Sequence, residues 1–191
     1  QVDLPSPESI NERVSRYVNY IGYALIDYVE LYIGGTRIDR LTGEWMYIYN
    51  ELSINHDKKK GYKEMIGGKS FQGYNVLNGN KEGTYLIPLD FWFNKDSGFA
   101  LPIVALQYHD VEIKIKFNEF NKLWVSNDGE APVGNFKIKD CQIGIEYIYL
   151  DSKERKMFAQ SNHEYLIKQS QYSLNNNILA NEKNRTIQLN F

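Results

Sequence analysis

The sequence predicts an all-β domain with one or two short helices in its loops. Its 191 residues are enough for a single domain with its own core. Aromatic residues make up 14% of the chain and include fifteen tyrosines, a composition that favours half-buried strands and protein interfaces. Runs of alternating apolar and polar residues, separated by turn residues, indicate that the strands are short.

Three strands are predicted from alternation and from turn signals. Residues 28–33 form the first, which a pair of glycines ends. Residues 111–117 alternate apolar and charged side chains, as in a strand with one face in water. Residues 84–93 form the third, and we expect it at a sheet edge or bulge because Pro88 has no N–H group to donate.

Residues 136–150 predict one long strand or two. The apolar positions change phase by one residue along this stretch, so we expect a bulge or break near Asp140. Gly144 indicates a close backbone approach. Cys141, the one cysteine, is predicted to be a small core residue of this strand. Because it has no partner for an internal disulfide, the chain fits a reducing compartment.

Two short helices are predicted. The first covers residues 44–52, with Glu44 in its first turn. Its apolar residues share one face through the spacing i, i+3, i+4 and i+7, and they are Trp45, Ile48, Tyr49 and Leu52. The second lies within residues 151–168, where Asp151 and Glu154 have the spacing of a capping box.

The loops are rich in asparagine, aspartate and glycine, and short strands joined by such loops predict a sandwich or a jelly roll. No repeat or linker divides the chain, so we expect one domain. Lys58, Lys59, Lys60 and Lys63 form a small basic cluster, which we interpret as a solvated loop in preference to a site for an acidic partner or anionic lipid.

Charge and termini limit the function further. The net charge of −2 argues against nucleic acid as a direct partner, and no apolar run is long enough to cross a bilayer.

The chain starts at Gln1 without a signal peptide, and residues 187–191 alternate up to the last position. We therefore expect this sequence to be a piece of a longer protein.

No constellation of catalytic residues stands out. Each histidine precedes an acid, at His56, His109 and His163, but the three are far apart in sequence and lack the spacing of metal ligands on a helix. There is no Gly-x-Ser-x-Gly turn. The sequence thus predicts no enzyme, no metal and no cofactor. Asn184 begins a formal acceptor sequence for glycosylation.

One ordered set of short segments is more specific than any single motif. In this order and at these distances, the set resembles the major capsid proteins of nucleocytoplasmic large DNA viruses, with iridovirus-like and algal-virus-like members closest. The similarity is strongest between residues 28 and 117. The segments are 33–39 (IGGTRID), 43–46 (GEWM), 50–52 (NEL), 61–62 (GY), 65–67 (MIG), 86–89 (LIPL), 91–93 (FWF), 100–102 (ALP) and 105–108 (ALQY).

The resemblance implies the first jelly roll of a double jelly roll, in a structural protein of an icosahedral virion. Residues 1–191 would be a single, incomplete jelly-roll domain, without the family's N-terminal arm and second roll. The implied partners are two further copies in a trimeric, pseudo-hexagonal capsomer, neighbouring capsomers and minor capsid proteins. The resemblance also implies proximity to an internal viral membrane and assembly in the cytoplasm of the host cell.

Two segments are candidates for contacts between subunits, and the candidate residues are Trp45, Ile48, Tyr49, Leu52, Phe99, Leu101 and Pro102. Covering an open edge of the sandwich is an equal alternative for the helical residues. Three other functions stay open. The chain could be a minor capsid paralogue, a carbohydrate-binding module that uses Trp124, Asp128 and Glu130, or a metal-dependent jelly-roll enzyme built from the histidines.

Overall fold

The computed structural model describes residues 1–4, 15–68, 83–126, 137–172, 180–181, 183–184 and 186–187. Within these ranges, eight strands and four α-helices alternate along the chain. Their order is β1 (Val2–Leu4), β2 (Ser15–Tyr17), α1 (Ile21–Leu25), β3 (Ile26–Ile33), β4 (Thr36–Thr42), α2 (Gly43–Ser53), α3 (His56–Met65), β5 (Gly83–Tyr85), β6 (Val111–Phe117), β7 (Trp124–Ser126), β8 (Asp140–Cys141) and α4 (Ser152–Gln160).

The central sheet has the antiparallel order β4-β3-β6. A tight turn joins β3 to β4, and both of its glycines, Gly34 and Gly35, adopt positive φ values of 58° and 77°, a conformation that glycine reaches without steric cost. Val29 and Leu31 of β3 are fully buried on the core face. The predicted strands at residues 28–33 and 111–117 are therefore confirmed.

Two smaller sheets accompany the central one. One has the order β5-β1-β8, and the other pairs β2 with β7. In the first of these, Val2 lies opposite Tyr85 on one side and Cys141 on the other. Because β1 is the central strand, the N-terminal residues hold together segments that are far apart in sequence.

Buried apolar side chains form two clusters. The main core lies on one face of the central sheet and includes Met46 of α2, Ile66 after α3, and Phe91 and Trp92. The second core gathers Val2, Leu4, Ile21, Leu25 and Leu123 around β1 and α1. Partly buried Phe117 and Ile138 pack against this second cluster, which brings the end of β6 close to the approach to β8.

The third predicted strand is largely wrong. Only Gly83–Tyr85 forms a strand, while Trp92–Asn94 is a 3-10 helix. Two physical reasons account for the difference: Pro88 cannot donate to a ladder, and the aromatic side chains of this segment enter the main core. Phe91 is completely buried and Trp92 nearly so.

The strand prediction for residues 136–150 is also corrected. Phe136 lies outside the described residues, and the strand covers only Asp140–Cys141. A bend at Lys139 precedes it, in agreement with the predicted break near Asp140. Cys141 lies in the strand but is exposed, contrary to the prediction of a core residue, because β8 has β1 on one side and no described strand on the other.

Four helices occur in the described residues where one or two were predicted. Helix α2 matches the prediction for 44–52, and α4 is capped by Asp151 and Glu154 as expected but ends at Gln160. Helices α1 and α3 were not predicted. Lys58, Lys59, Lys60 and Lys63 lie in α3, so the interpretation as a loop was wrong. The physical reason is that lysine is a good helix former. Among the described residues, no helix is long and apolar enough to cross a membrane.

Candidate assembly surface

Helix α2 is held in place at its first residue. The side chain of Thr42 accepts a hydrogen bond from the backbone N–H of Trp45 at 3.1 Å, as an N-cap does. Gly43 then lies directly against the chain between α1 and β3. A β-carbon at this position would come within 2.2 Å of the carbonyl oxygen of Tyr23 and 2.3 Å of that of Ile26. Only glycine allows so close an approach.

A buried polar cluster anchors the inner face of α2. The side-chain amide of Asn50 lies 2.9 Å from the Tyr23 hydroxyl, 2.8 Å from the Met46 carbonyl and 2.5 Å from a carboxylate oxygen of Asp90. Burial raises the pKa of Asp90 to about 6, although the Asn50 hydrogen bond and Lys95 oppose this. The cluster fixes α2 to α1 and to the segment before Trp92, so the outer face of α2 has a defined orientation.

The outer face of α2 carries an exposed apolar stripe, which we define as Trp45, Ile48 and Leu52. Their exposed fractions are 39%, 43% and 83%. Met46 and Asn50, from the opposite side of the helix, are the buried ones. The spacing thus predicted the helix correctly, and the apolar face that it predicted is exposed and lies away from the core. Both interpretations of this stripe, a contact between subunits and the cover of a sandwich edge, stay predictions.

Tyr49 lies beside the stripe and is half-buried. Lys95 donates a hydrogen bond of 2.8 Å to the Tyr49 hydroxyl, and this bond, with the nearby charge, lowers the pKa of Tyr49. The Tyr49 ring is also 6.1 Å from the ring of Trp45. Tyr49 therefore links α2 to the loop that contains the second group of predicted residues.

The three residues of that second group differ in exposure. Phe99 ends a 3-10 helix, Ser97–Phe99, which the Asp96 carboxylate caps by accepting from the Gly98 N–H at 2.8 Å. Phe99 is 47% exposed. Leu101 and Pro102 are half-buried, and Leu101 packs against the main core. Phe99 is thus available for a partner, and Leu101 mainly supports the loop.

Sequence reasoning missed a further exposed apolar stretch, and its members are Ile143, Ile145, Tyr147, Ile148 and Tyr149. The alternation of the odd-numbered members predicted a strand, and the same alternation is the signal that could have identified an exposed apolar surface.

The structure describes four of the residues that the other candidate functions would use. Trp124 is half-buried in β7, and Asp128 and Glu130 lie outside the described residues. His56 starts α3, His109 packs over Gly34, and His163 contacts the carbonyl oxygen of Phe158 at 2.6 Å. Across the described residues, no group of three or more histidine, cysteine or acidic side chains could hold a metal ion.

The family model described as "Major capsid protein N-terminus" matches residues 2–151. The chain belongs to the major capsid protein family. This family protein is 40% identical over 156 residues to the major capsid protein of Pyramimonas orientalis virus, covering 81% of this chain and 37% of that relative.

Other relatives give the same result. Capsid protein 1 of Acanthamoeba polyphaga mimivirus is 36% identical over 167 residues, which is 82% of this chain and 28% of that protein. The major capsid protein of Paramecium bursaria Chlorella virus 1 is 36% identical over 155 residues, which is 81% of this chain and 34% of the relative. The capsid-family chain thus spans about a third of the length of these curated relatives.

Solved structures confirm the predicted jelly-roll fold. The chain matches a quasi-atomic model of the PBCV-1 virus capsid with a TM-score of 0.61 and 27% identity, over 87% of this chain and 38% of that one. It also matches PBCV-1 VP54, fitted into a reconstruction of the virophage Sputnik, with a TM-score of 0.58 and 25% identity, over 88% of this chain and 46% of that one.

Proposed function

We propose that this chain forms the first jelly roll of a major capsid protein in the icosahedral shell of a large DNA virus. The observation that carries the proposal is the family match over residues 2–151, together with relatives named as capsid proteins. The role is structural and involves no catalysis. The shell is built by burying apolar surface between subunits in the virion, and the net charge of −2 argues against direct contact with the genome.

The proposed assembly unit is a homotrimer. Support comes from the exposed stripe of α2 and from Phe99, because exposed apolar and aromatic side chains on a rigid element are typical of interface cores. Tyr49, Leu101 and Pro102 would form the less exposed margin of the same interface. Further proposed contacts are with neighbouring capsomers, with minor capsid proteins and near an internal viral membrane, after assembly in the host cytoplasm.

Light scattering after size exclusion on the complete gene product tests the trimer. We expect the mass of three copies, which persists on dilution. The double variant Trp45→Ser, Leu52→Ser should weaken association at least about 100-fold, since each central apolar residue of an interface can contribute about 2 kcal/mol. Leu166→Ser is the matched control, because Leu166 is also highly exposed, at 94%, but lies outside the proposed interface.

Each outcome of this experiment has a separate meaning. A wild-type protein that stays monomeric at all concentrations contradicts the capsomer. A trimer that the double variant leaves intact contradicts the interface on α2 and leaves the capsid role standing. Loss of the trimer with Leu166→Ser alone would show that the effect is not specific to the stripe.

A minor capsid paralogue is the second candidate, and one observation favours keeping it. Two of the relatives, named "Capsid protein 1" and "Probable capsid protein 4", come from the same mimivirus, so one virus can encode several such chains. Copy number in purified virions, measured by quantitative mass spectrometry, distinguishes a major from a minor component. The same spectra test the proposal that Asn184, which is exposed, carries a glycan.

A further inference from the structure

Strand β4 forms one edge of the central sheet. Strand β3 is its neighbour on one side, and no described strand lies on the other. Leu31 faces Asp39 across the ladder, and the next residue of β3 faces Arg37. Ile38 is thus the extra residue of a bulge, which is left out of the ladder. The backbone groups along such an edge can pair with another chain unless a further segment covers them.

Residues 167–172, which we call the strap, run along this edge. The side-chain amide of Gln169 donates to the carbonyl oxygen of Ile38. The N–H of Ser170 donates to the carboxylate of Asp39, which also accepts the N–H of Arg40 at 2.8 Å. Asp39 is only 5% exposed. The strap therefore bonds the bulge residue and the residue after it, the second of these through a buried carboxylate.

The strap passes from one face of the sheet to the other. Ile167, near its start, packs against the main core, on the face where Asp39 is buried. Tyr172, at its end, has its ring centroid 5.9 Å from the guanidinium carbon of Arg40. Successive side chains of a strand point to opposite faces, so Asp39 and Arg40 lie on opposite faces. A segment that contacts both faces of β4 has to cross its free edge, because β3 occupies the other edge.

We infer that the strap covers the edge of the central sheet and thereby prevents a second copy of the chain from pairing with β4. A second copy is the partner to exclude, because every copy carries the same edge and β4 can pair antiparallel with itself about a two-fold axis. Within the strap, only Ile167 and Ser170 are partly buried, and the other four residues are exposed. The strap can therefore open without unfolding of the domain.

The features of β4 support a protective role for the strap. Natural proteins protect sheet edges with bulges, with inward-pointing charged residues and with covering loops. Strand β4 combines all three, in the bulge at Ile38, the buried Asp39 and the strap. Lysine and proline, which are also common at edges, are absent from its sequence, TRIDRLT. Because the strap bonds both Ile38 and Asp39, the three features act as one unit.

A strap-release variant of the complete gene product tests the inference. Ile167→Ser with Gln169→Ala removes the contact with the core and the bond to the bulge. The matched control is Leu166→Ser with Gln171→Ala, which makes the same kinds of change at two exposed neighbours. Trypsin cleavage after Lys168, measured by mass spectrometry and divided by the rate for the same variant when unfolded, reports whether the strap is held. Light scattering after size exclusion reports association.

We expect cleavage after Lys168 to be at least about tenfold faster in the release variant than in the wild type, because a hydrogen bond and a partly buried isoleucine are lost. The variant should also form species larger than those of the wild type, at a concentration at least about tenfold lower. The control pair should match the wild type in both measurements.

Three results would overturn the inference. Equal cleavage in the wild type and the release variant would show that the strap is not held. A released strap without added association would contradict its protective role, and the same effects in the control pair would show that they are not specific to the strap. If Ile167→Ser disturbs folding, Gln169→Ala alone, at an exposed position, answers the same two questions. Association is compared with the wild type's own mass, so a wild type that is not a trimer contradicts the capsomer and leaves this test intact.

Discussion

At the residue scale, Asp90 couples the stability of the fold to pH. Its pKa is about 6 in the folded chain because of burial, against 3.8 when unfolded. The folded state therefore holds the proton to higher pH than the unfolded state does. The contribution of Asp90 to the free energy of unfolding is fully present below pH 4 and is lost as pH rises to about 6, by about 3 kcal/mol at most.

Urea unfolding of the wild type and of Asp90→Asn between pH 4 and pH 7 measures this contribution. Relative to the wild type, the free energy of unfolding of Asp90→Asn should rise with pH and should become constant above pH 7. Asp110→Asn, at an exposed position, is the control: it keeps Asp90 and should show the same pH dependence as the wild type. A pH dependence of the same size in Asp90→Asn would contradict the assignment. Glu51, whose pKa is lowered by its hydrogen bond from Lys59, acts in the opposite direction in both proteins.

Alanine in place of a glycine should change the free energy of unfolding in opposite directions in α2 and in α3. Gly43→Ala places a β-carbon 2.2 Å from a backbone oxygen, and we expect a loss of about 2–3 kcal/mol in unfolding free energy. Gly61 in α3 has no heavy atom within 4 Å of such a carbon, so Gly61→Ala should stabilise by up to about 1 kcal/mol through helix propensity. Chemical denaturation measures both, and a neutral Gly43→Ala would contradict the close contact between α2 and α1.

At the scale of elements, α4 depends on its cap. None of its residues is buried, so packing contributes little to it. The Asp151 carboxylate accepts from the N–H groups of Lys153 and Glu154 at 2.8 Å each, and Glu154 accepts from the N–H of Asp151 at 3.0 Å. Asp151→Ala should cost the helix about 1 kcal/mol, and so raise the exchange rates of its amides about fivefold.

Hydrogen exchange followed by mass spectrometry measures the effect on α4. Asp151→Asn should largely restore protection, because asparagine is an equally good cap, and Lys156→Ala is the control that leaves the cap intact. Unchanged exchange in Asp151→Ala would show that contacts other than the cap hold α4. Global stability should change little, since α4 contributes nothing to either buried cluster.

Helix α2 shows what the sequence could and could not predict about single elements. The spacing of Trp45, Ile48, Tyr49 and Leu52 predicted the helix, and its boundaries agree within a residue. Local pattern cannot reveal which face meets the core when the buried face consists of a glycine, a methionine and an asparagine. The burial of Asn50 depends on Tyr23 and Asp90, which are distant in sequence. Helix α3 was not predicted, because four of its ten residues are lysines and its sequence shows no periodic apolar face.

At the scale of the whole molecule, the ordered set of motifs identified the family correctly, whereas several strands and helices were predicted at the wrong positions. The conformation of residues 84–93 depends on aromatic rings that enter the core, and the exposure of Ile145 and Tyr149 depends on which segments pack beside them. Both are tertiary effects that alternation does not encode. The predicted jelly roll is nevertheless right, because it rests on the resemblance carried by the ordered motifs, whereas composition and short strands predicted only a sandwich or a jelly roll.

The exposed stretch at residues 143–149 should also determine how the 191-residue chain behaves alone. A contiguous apolar surface of this kind binds hydrophobic dyes and promotes association. We expect the isolated chain to bind anilinonaphthalene sulfonate, and Tyr149→Ser to reduce the bound fluorescence. Tyr108 has the same exposed fraction as Tyr149, 92%, but lies outside this stretch, so Tyr108→Ser should leave the fluorescence unchanged. Equal effects of the two substitutions would show that the dye responds to single exposed rings and not to the contiguous apolar surface.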